Sequence, residues 1–291
     1  MPVQGADPMS FDRRLTPVRA DLADERLRGL VEAEHFTTGT LKRIVAPFAS
    51  LHRHPSREAP VDSQVIFGEG VTVYDEHEGW AWVQVRDDGY VGYLPTETFG
   101  EADFEPTHRV RAVRTFVYPG PNLKLPSRDY LPQNAKVTVM ATEGDYAKLA
   151  TGGWVYAPHL ARLDAYETDY VTVAERFLHT PYLWGGKTSL GLDCSGLVQT
   201  ALKAAGITAP RDSDMQERAL GTPIEVKPDL SGLKRGDIVF WKGHVGLMVD
   251  EANFLHATGY GMAVIVEPLA VAEERIRTTS YGPITAIKRL G

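Results

Sequence analysis

The only cysteine of this 291-residue chain lies in the run Gly191-Leu192-Asp193-Cys194-Ser195-Gly196-Leu197-Val198-Gln199. Leu197, Val198, Ala201, Leu202 and Ala205 then recur at helical spacing, and Gly206 supplies a stop. Asp193 is the expected N-cap of that helix and Cys194 its first residue. A thiol there meets unpaired backbone N–H groups and the positive end of the helix dipole, which favour the thiolate. Small Ser195 and Gly196 leave access beside it. Two histidines, His244 and His256, fall in apolar runs that read as strands. A cysteine on a helix start facing histidines on a sheet is what nucleophilic thiol chemistry requires.

Between the two histidine runs, Asp250-Glu251-Ala252-Asn253 is good turn material, so 244–249 and 254–257 are expected to pair as a hairpin. The rings then lie close together. His244 would take the proton of Cys194, and His256 would fix the tautomer and orientation of His244. Gly243 and Gly246 flank His244 and let a backbone or a substrate come close. The same residues also allow a buried inert cysteine with a satisfied core histidine, or a Cys/His/His zinc site. Nothing in the sequence demands a metal, and no cofactor is expected. His52 and His54 share one strand face, a pattern usual at surfaces.

The elements that position these residues are predicted in four segments. Residues 1–40 are polar and charge-mixed, with a helical pattern over 20–34 carried by Leu22, Leu27, Leu30 and Val31. An internal repeat follows. Val71-Thr72-Val73, Gly79 to Val83 and Gly89 to Pro95 form one copy; Val137-Thr138-Val139, Asp145 to Leu149 and Gly153 to Pro158 form the second. Each alternates apolar and polar residues in short strands broken by turns, which predicts two small barrels over 41–105 and 106–163. From 164 to 291 the pattern becomes helical first (169–178, the Cys194 helix, 213–220) and strand-like afterwards (237–241, 244–249, 254–257, 262–266, 284–288). That order is α+β.

Formal net charge is −7, which excludes a sequence-independent nucleic-acid partner, since phosphate binding needs a basic face. No apolar run reaches membrane-spanning length, and MPVQGADPMSFDRR lacks the order of a secretory signal. One cysteine excludes an internal disulfide and suits a reducing compartment, so a cytoplasmic location is expected. The oligomeric state is not legible.

A chain of motifs adds a resemblance. Thr180-Pro181-Tyr182-Leu183-Trp184-Gly185-Gly186, Asp193 to Leu197, Leu233 to Phe240, Gly243 to Gly246 and His256-Ala257 resemble, in order, the NlpC family of cell-wall cysteine peptidases over about 165–288. The resemblance implies a papain-like α+β catalytic domain, here behind two SH3-like barrels. It assigns Cys194 as nucleophile, His244 as base, His256 as orienting residue and Tyr182 to the oxyanion site beside the Cys194 N–H. The whole chain resembles a narrower subgroup, the γ-D-glutamyl-L-diamino acid endopeptidases of dipeptidyl-peptidase VI type. These act on free murein stem peptides with an unblocked N-terminal L-Ala, releasing L-Ala-γ-D-Glu in cell-wall recycling. The free ammonium then needs acidic and hydroxyl partners in a closed pocket. Asp193, Ser195 and Ser213 are the implied partners from the catalytic domain, with Trp184 as a wall. Glu69 and Tyr90, with Tyr93 close behind, are implied from the first barrel. Two other readings stand beside this: an exported endopeptidase or lysin that holds cell wall through its SH3-like domains, and a non-catalytic muropeptide-binding protein. A papain-related acyl transfer to lipids would want an apolar cleft that the sequence does not offer.

Overall fold

Short runs of alternating apolar residues, punctuated by Gly, Pro and Asp, make strands the dominant regular element of residues 11–160. The computed structural model describes residues 11–291. In the N-terminal strap, β1 (Leu22–Asp24) pairs in parallel with β2 (His35–Thr37). The helix predicted over 20–34 does not form; one 3-10 turn, Glu25–Leu27, stands in its place. Asp24 explains the difference. Its carboxylate accepts the Arg26 N–H at 2.8 Å and the hydroxyl of Tyr74 at 2.5 Å, which ties the segment to the first barrel.

That barrel comprises β3 (Thr40–Ile44), β4 (Phe48–His52), β5 (Val61–Ile66), β6 (Gly70–His77), β7 (Trp80–Val85), β8 (Val91–Pro95) and β9 (Phe99–Gly100), ordered β5-β4-β8-β7-β6-β3-β9. Leu51, Val65, Val71, Val83 and Leu94 fill its core. The second β unit runs through β10 (His108–Val110), β11 (Arg114–Val117), β12 (Asp129–Pro132), β13 (Lys136–Val137), β14 (Val139–Glu143), β15 (Tyr146–Leu149), β16 (Trp154–Tyr156) and β17 (Leu160–Arg162). Its own core holds Val110, Leu131, Val137, Ala147 and Val155. The sequence repeat therefore becomes two meanders, β6-β7-β8 and β14-β15-β16.

The C-terminal domain is α+β. After α1 (Tyr170–Glu175), capped by Asp169, come a small hairpin of β18 (Lys187–Thr188) and β19 (Gly191–Leu192), then α2 (Cys194–Ala204) and α3 (Ser213–Ala219). A six-stranded sheet follows: β20 (Thr222–Ile224), β21 (Ile238–Trp241), β22 (His244–Met248), β23 (Asn253–Thr258), β24 (Ala263–Pro268) and β25 (Ala286–Arg289), ordered β20-β25-β21-β22-β23-β24. Helix α4 (Leu269–Thr279) packs on its far side through Leu269, Ala272 and Ile276. Every residue of α2 except Lys203 is buried, and the helix lies on β22 and β23. No helix among the described residues is long and apolar enough to cross a membrane.

Candidate active site

Helix α2 starts where the sequence places it. Asp193, in extended conformation, accepts the Gly196 N–H at 2.7 Å as N-cap and leaves Cys194 in the first turn. The start is packed against the loop before it: a Cβ at Gly196 would lie 2.1 Å from the Gly186 carbonyl oxygen, so only glycine fits. The backbone N–H groups of Val245 and Ser195 point at the sulfur, which sets the thiol beside the residue that follows His244. The thiol is not ionised by its helix position alone, contrary to the sequence-based expectation. Burial pushes it up to about 12, Asp193 adds to this, and the two N–H groups offset only part.

Strands β22 and β23 form the hairpin, with Leu247 opposite Leu255 and Met248 opposite Phe254. This register brings Nε2 of His244 to 2.8 Å from Nδ1 of His256. Burial, then the neighbouring His256, hold His244 down at about 3, so its ring is neutral. Tyr281 stacks on His244 with centroids 5.7 Å apart and planes within 3°. Two further residues complete the row. Nε2 of His256 lies 2.9 Å from Oε1 of Glu267 on β24, and Oε2 of Glu267 accepts from Nη1 of Arg275 on α4 at 2.7 Å. Neither was legible in the sequence, because only the β23–β24 register reveals them. Among the described residues no three His, Cys, Asp or Glu side chains are grouped to hold a metal ion.

The sulfur opens into a cleft of about 720 Å³ between the strap, the first barrel and the catalytic domain. Tyr182, Trp184, Asp193, Ser195, Ser213 and Tyr90 all line it. Tyr182 is half-buried; burial, then Cys194, push its hydroxyl above the ordinary tyrosine range. Trp184 is 65% exposed and stands at the mouth. The Tyr90 hydroxyl donates to Oδ2 of Asp212 at 3.1 Å, joining barrel to catalytic domain across the cleft, and Tyr93 lines the same wall.

Two expected ligands need correction. Glu69 is not in the cleft. It is fully buried near the other end of α2, where its carboxylate accepts the Ile66 N–H at 2.9 Å and pairs with Lys203, with Lys187 3.9 Å away. Lys203 is nine residues along α2 from Cys194, about 14 Å at 1.5 Å per residue. Asp193 does face the cleft, but its carboxylate is occupied. It accepts from Gly185 N–H, Gly196 N–H, the Ser195 hydroxyl and both Nη atoms of Arg211, which fills its lone pairs. Arg211 is fully buried, and sequence reading missed it along with three carboxylates that line the cleft: Asp62 from the first barrel, Asp212 at the N-cap of α3 and Asp214 in its first turn.

Residues 51–99 match the bacterial dipeptidyl-peptidase SH3 domain, and residues 179–279 match the NlpC/P60 family. Dipeptidyl-peptidase 6 of Lysinibacillus sphaericus is 26% identical over 85% of this chain and 98% of its own length. The γ-D-glutamyl-L-lysine dipeptidyl-peptidase of Bacillus cereus is 28% identical over 72% of this chain and 71% of its own. The crystal structure of an NlpC/P60 family protein from Bacillus cereus ATCC 10987 shares the fold, with a TM-score of 0.72 at 22% identity, covering 86% of this chain and 99% of that one. A thiol on a buried helix start, against a histidine pair on an antiparallel sheet and behind an SH3 domain, defines a papain-like thiol peptidase. Residues 179–279 of this chain carry an NlpC/P60 domain, and the chain is a cysteine peptidase.

Proposed function

We propose that this peptidase hydrolyses the γ-D-glutamyl-L-diamino acid bond of free murein stem peptides and releases L-Ala-γ-D-Glu. Cys194 attacks the γ-carbonyl carbon while His244 takes the thiol proton. The oxyanion meets the Cys194 N–H and the Tyr182 hydroxyl. His244 then passes the proton to the leaving amine of the diamino acid, and water resolves the thioester by the same route in reverse. Burial pushes the Cys194 thiol up and His244 down, and both shifts favour the neutral forms.

The observation that carries the dipeptide reading is the wall across the cleft. Tyr90 of the first barrel hydrogen-bonds Asp212 of the catalytic domain, and Arg14 of the strap donates to Asp212 and Asp214 at 2.8 Å each. A cleft blocked in this way takes a short N-terminal segment and not a strand of intact wall. Asp62, Asp212, Ser213 and Tyr90 line the cleft with the acidic and hydroxyl character a free ammonium needs, although Asp62 also pairs with Arg53 and Asp212 with Arg14, as Asp193 does with Arg211. The γ-D-glutamyl-L-lysine dipeptidyl-peptidase of Bacillus cereus supports the same substrate class, and the dipeptidyl-peptidase 6 of Lysinibacillus sphaericus supports release of a dipeptide. A lone free cysteine supports a reducing, cytoplasmic setting, which cell fractionation tests.

The substrate reading is tested by offering L-Ala-γ-D-Glu-L-Lys and its N-acetylated form side by side. The free peptide is expected to be cleaved and the blocked one spared. Equal cleavage of both would contradict the closed pocket and favour an endopeptidase that acts within the wall.

A further inference from the structure

The row of side chains behind Cys194 does not stop at the histidine pair. Glu267 on β24 contacts His256 through Oε1 at 2.9 Å, and Arg275 of α4 braces its other oxygen at 2.7 Å. Arg275 is itself held over the ring of Tyr260, 4.3 Å from its centroid. His256 has no solvent exposure, so its two nitrogens have only these protein partners.

The protons of both rings follow from this order. An ionised carboxylate only accepts, so the hydrogen of His256 sits on Nε2. A neutral imidazole has one N–H, which leaves Nδ1 of His256 an acceptor. The 2.8 Å contact then requires Nε2 of His244 to donate. Nδ1 of His244 is left with a free lone pair, the only place on that ring that can receive the thiol proton.

We propose that Glu267, braced by Arg275, is a positioning residue that sets the tautomers of both histidines and thereby makes His244 the base for Cys194. The inference rests on the thiol-peptidase chemistry above, not on the choice of substrate. Without the carboxylate, His256 can carry its hydrogen on Nδ1 and donate to His244. The His244 hydrogen then moves to Nδ1, and the base is lost. The groups facing this row are few: His244, Glu267 and Arg275 around His256; His256 and Arg275 around Glu267; and His256, Trp241 and Tyr281 around His244. Burial alone would raise Glu267, but Arg275 and His256 outweigh it and hold the carboxyl at about 2. It therefore remains an acceptor wherever the enzyme works.

The test is ¹⁵N NMR of the histidine rings in the full chain at pH 7, with parallel measurement of Cys194 alkylation by iodoacetamide and of peptide cleavage. Wild-type protein is expected to carry hydrogen on Nε2 of both His244 and His256. Glu267→Leu is expected to mix the tautomers, slow alkylation, and lower kcat by about 10–100-fold with KM little changed, as for other residues that orient a functional imidazole. Glu267→Gln, whose amide oxygen can still accept, is expected to keep more activity than Glu267→Leu. A hydrogen on Nδ1 of wild-type His244 would overturn the proposal, even if no variant folds. So would a folded Glu267→Leu protein with wild-type tautomers and wild-type kcat. If wild-type enzyme shows the expected tautomers but leaves the murein peptide intact, the substrate reading fails and the role of Glu267 stands.

Discussion

Cys194 and His244 are both driven toward neutrality by burial, and this has a consequence for stability. The ordinary value of 6.5 for His244 is held down to about 3, by burial first and then by His256. The folded state thus binds fewer protons than the unfolded chain, so stability is whole above pH 6.5 and is lost as pH falls toward 3. Cys194 behaves in the opposite sense. Its ordinary 9.0 is pushed up to about 12, by burial first and then by Asp193, so stability is whole below pH 9.0 and is lost as pH rises toward 12. Each group contributes about 1.4 kcal/mol per pH unit inside its window. Urea unfolding is therefore expected to show a plateau between these limits, and Cys194→Ala to lessen the alkaline decline, which the buried tyrosines share above pH 10, while leaving the acid one. Equal alkaline losses in both proteins would contradict this. At this scale the helix start that carries Cys194 and the hairpin that joins the two histidines were legible, because Asp193-Cys194-Ser195-Gly196 and Gly243-His244-Val245-Gly246 are local patterns. Glu267, Arg275 and Arg211 were not. Each meets its partner only through strand register or through a loop folded back on the helix start.

Helix α2 is clamped at both ends by charge. At its start Arg211 neutralises Asp193; near its end Lys203 pairs with Glu69 and with Asp87, and Lys136 approaches Asp87 at 2.9 Å. The second clamp joins all three domains, since Glu69 and Asp87 belong to the first barrel and Lys136 to the second β unit. A Cβ at Gly68 would lie 2.0 Å from the Lys136 carbonyl oxygen, so the two β units meet there backbone to backbone. Glu69 is fully buried, and removing it leaves the Ile66 N–H without its acceptor and Lys203 with Asp87 alone; the cost is about 1–3 kcal/mol. Glu69→Ala is expected to lower unfolding stability by that order and to leave KM for the peptide unchanged in the folded fraction. A raised KM at full stability would return Glu69 to the substrate site. The sequence shows Glu69 between two glycines, which suits a loop ligand and a buried anchor equally well. Only the placement of Lys203 separates them. The strap shows the same limit: four apolar residues at helical spacing over 20–34 were outweighed by Asp24, whose bonds to Tyr74 and Arg26 no periodicity reveals.

Across the whole molecule, under the function proposed above, the catalytic domain supplies the thiol and its base, while the strap and first barrel select what reaches them. Arg14, Tyr90 and Asp62 come from outside the catalytic domain yet line the same cleft as Cys194. In the proposed function this arrangement shortens the groove beside Cys194 and leaves its thiol chemistry as it is. The switch from strand repeats to helices was readable in the sequence, whereas the wall needed the tertiary contacts of Tyr90 and Arg14. One measurement bears on the union of thiol and wall: mass spectrometry of the products from L-Ala-γ-D-Glu-L-Lys with wild-type enzyme and with Cys194→Ala. Wild-type protein is expected to release L-Ala-γ-D-Glu and lysine, and the variant, folded, to release neither. Cleavage that persists without the Cys194 sulfur, or that falls at another bond, would contradict it.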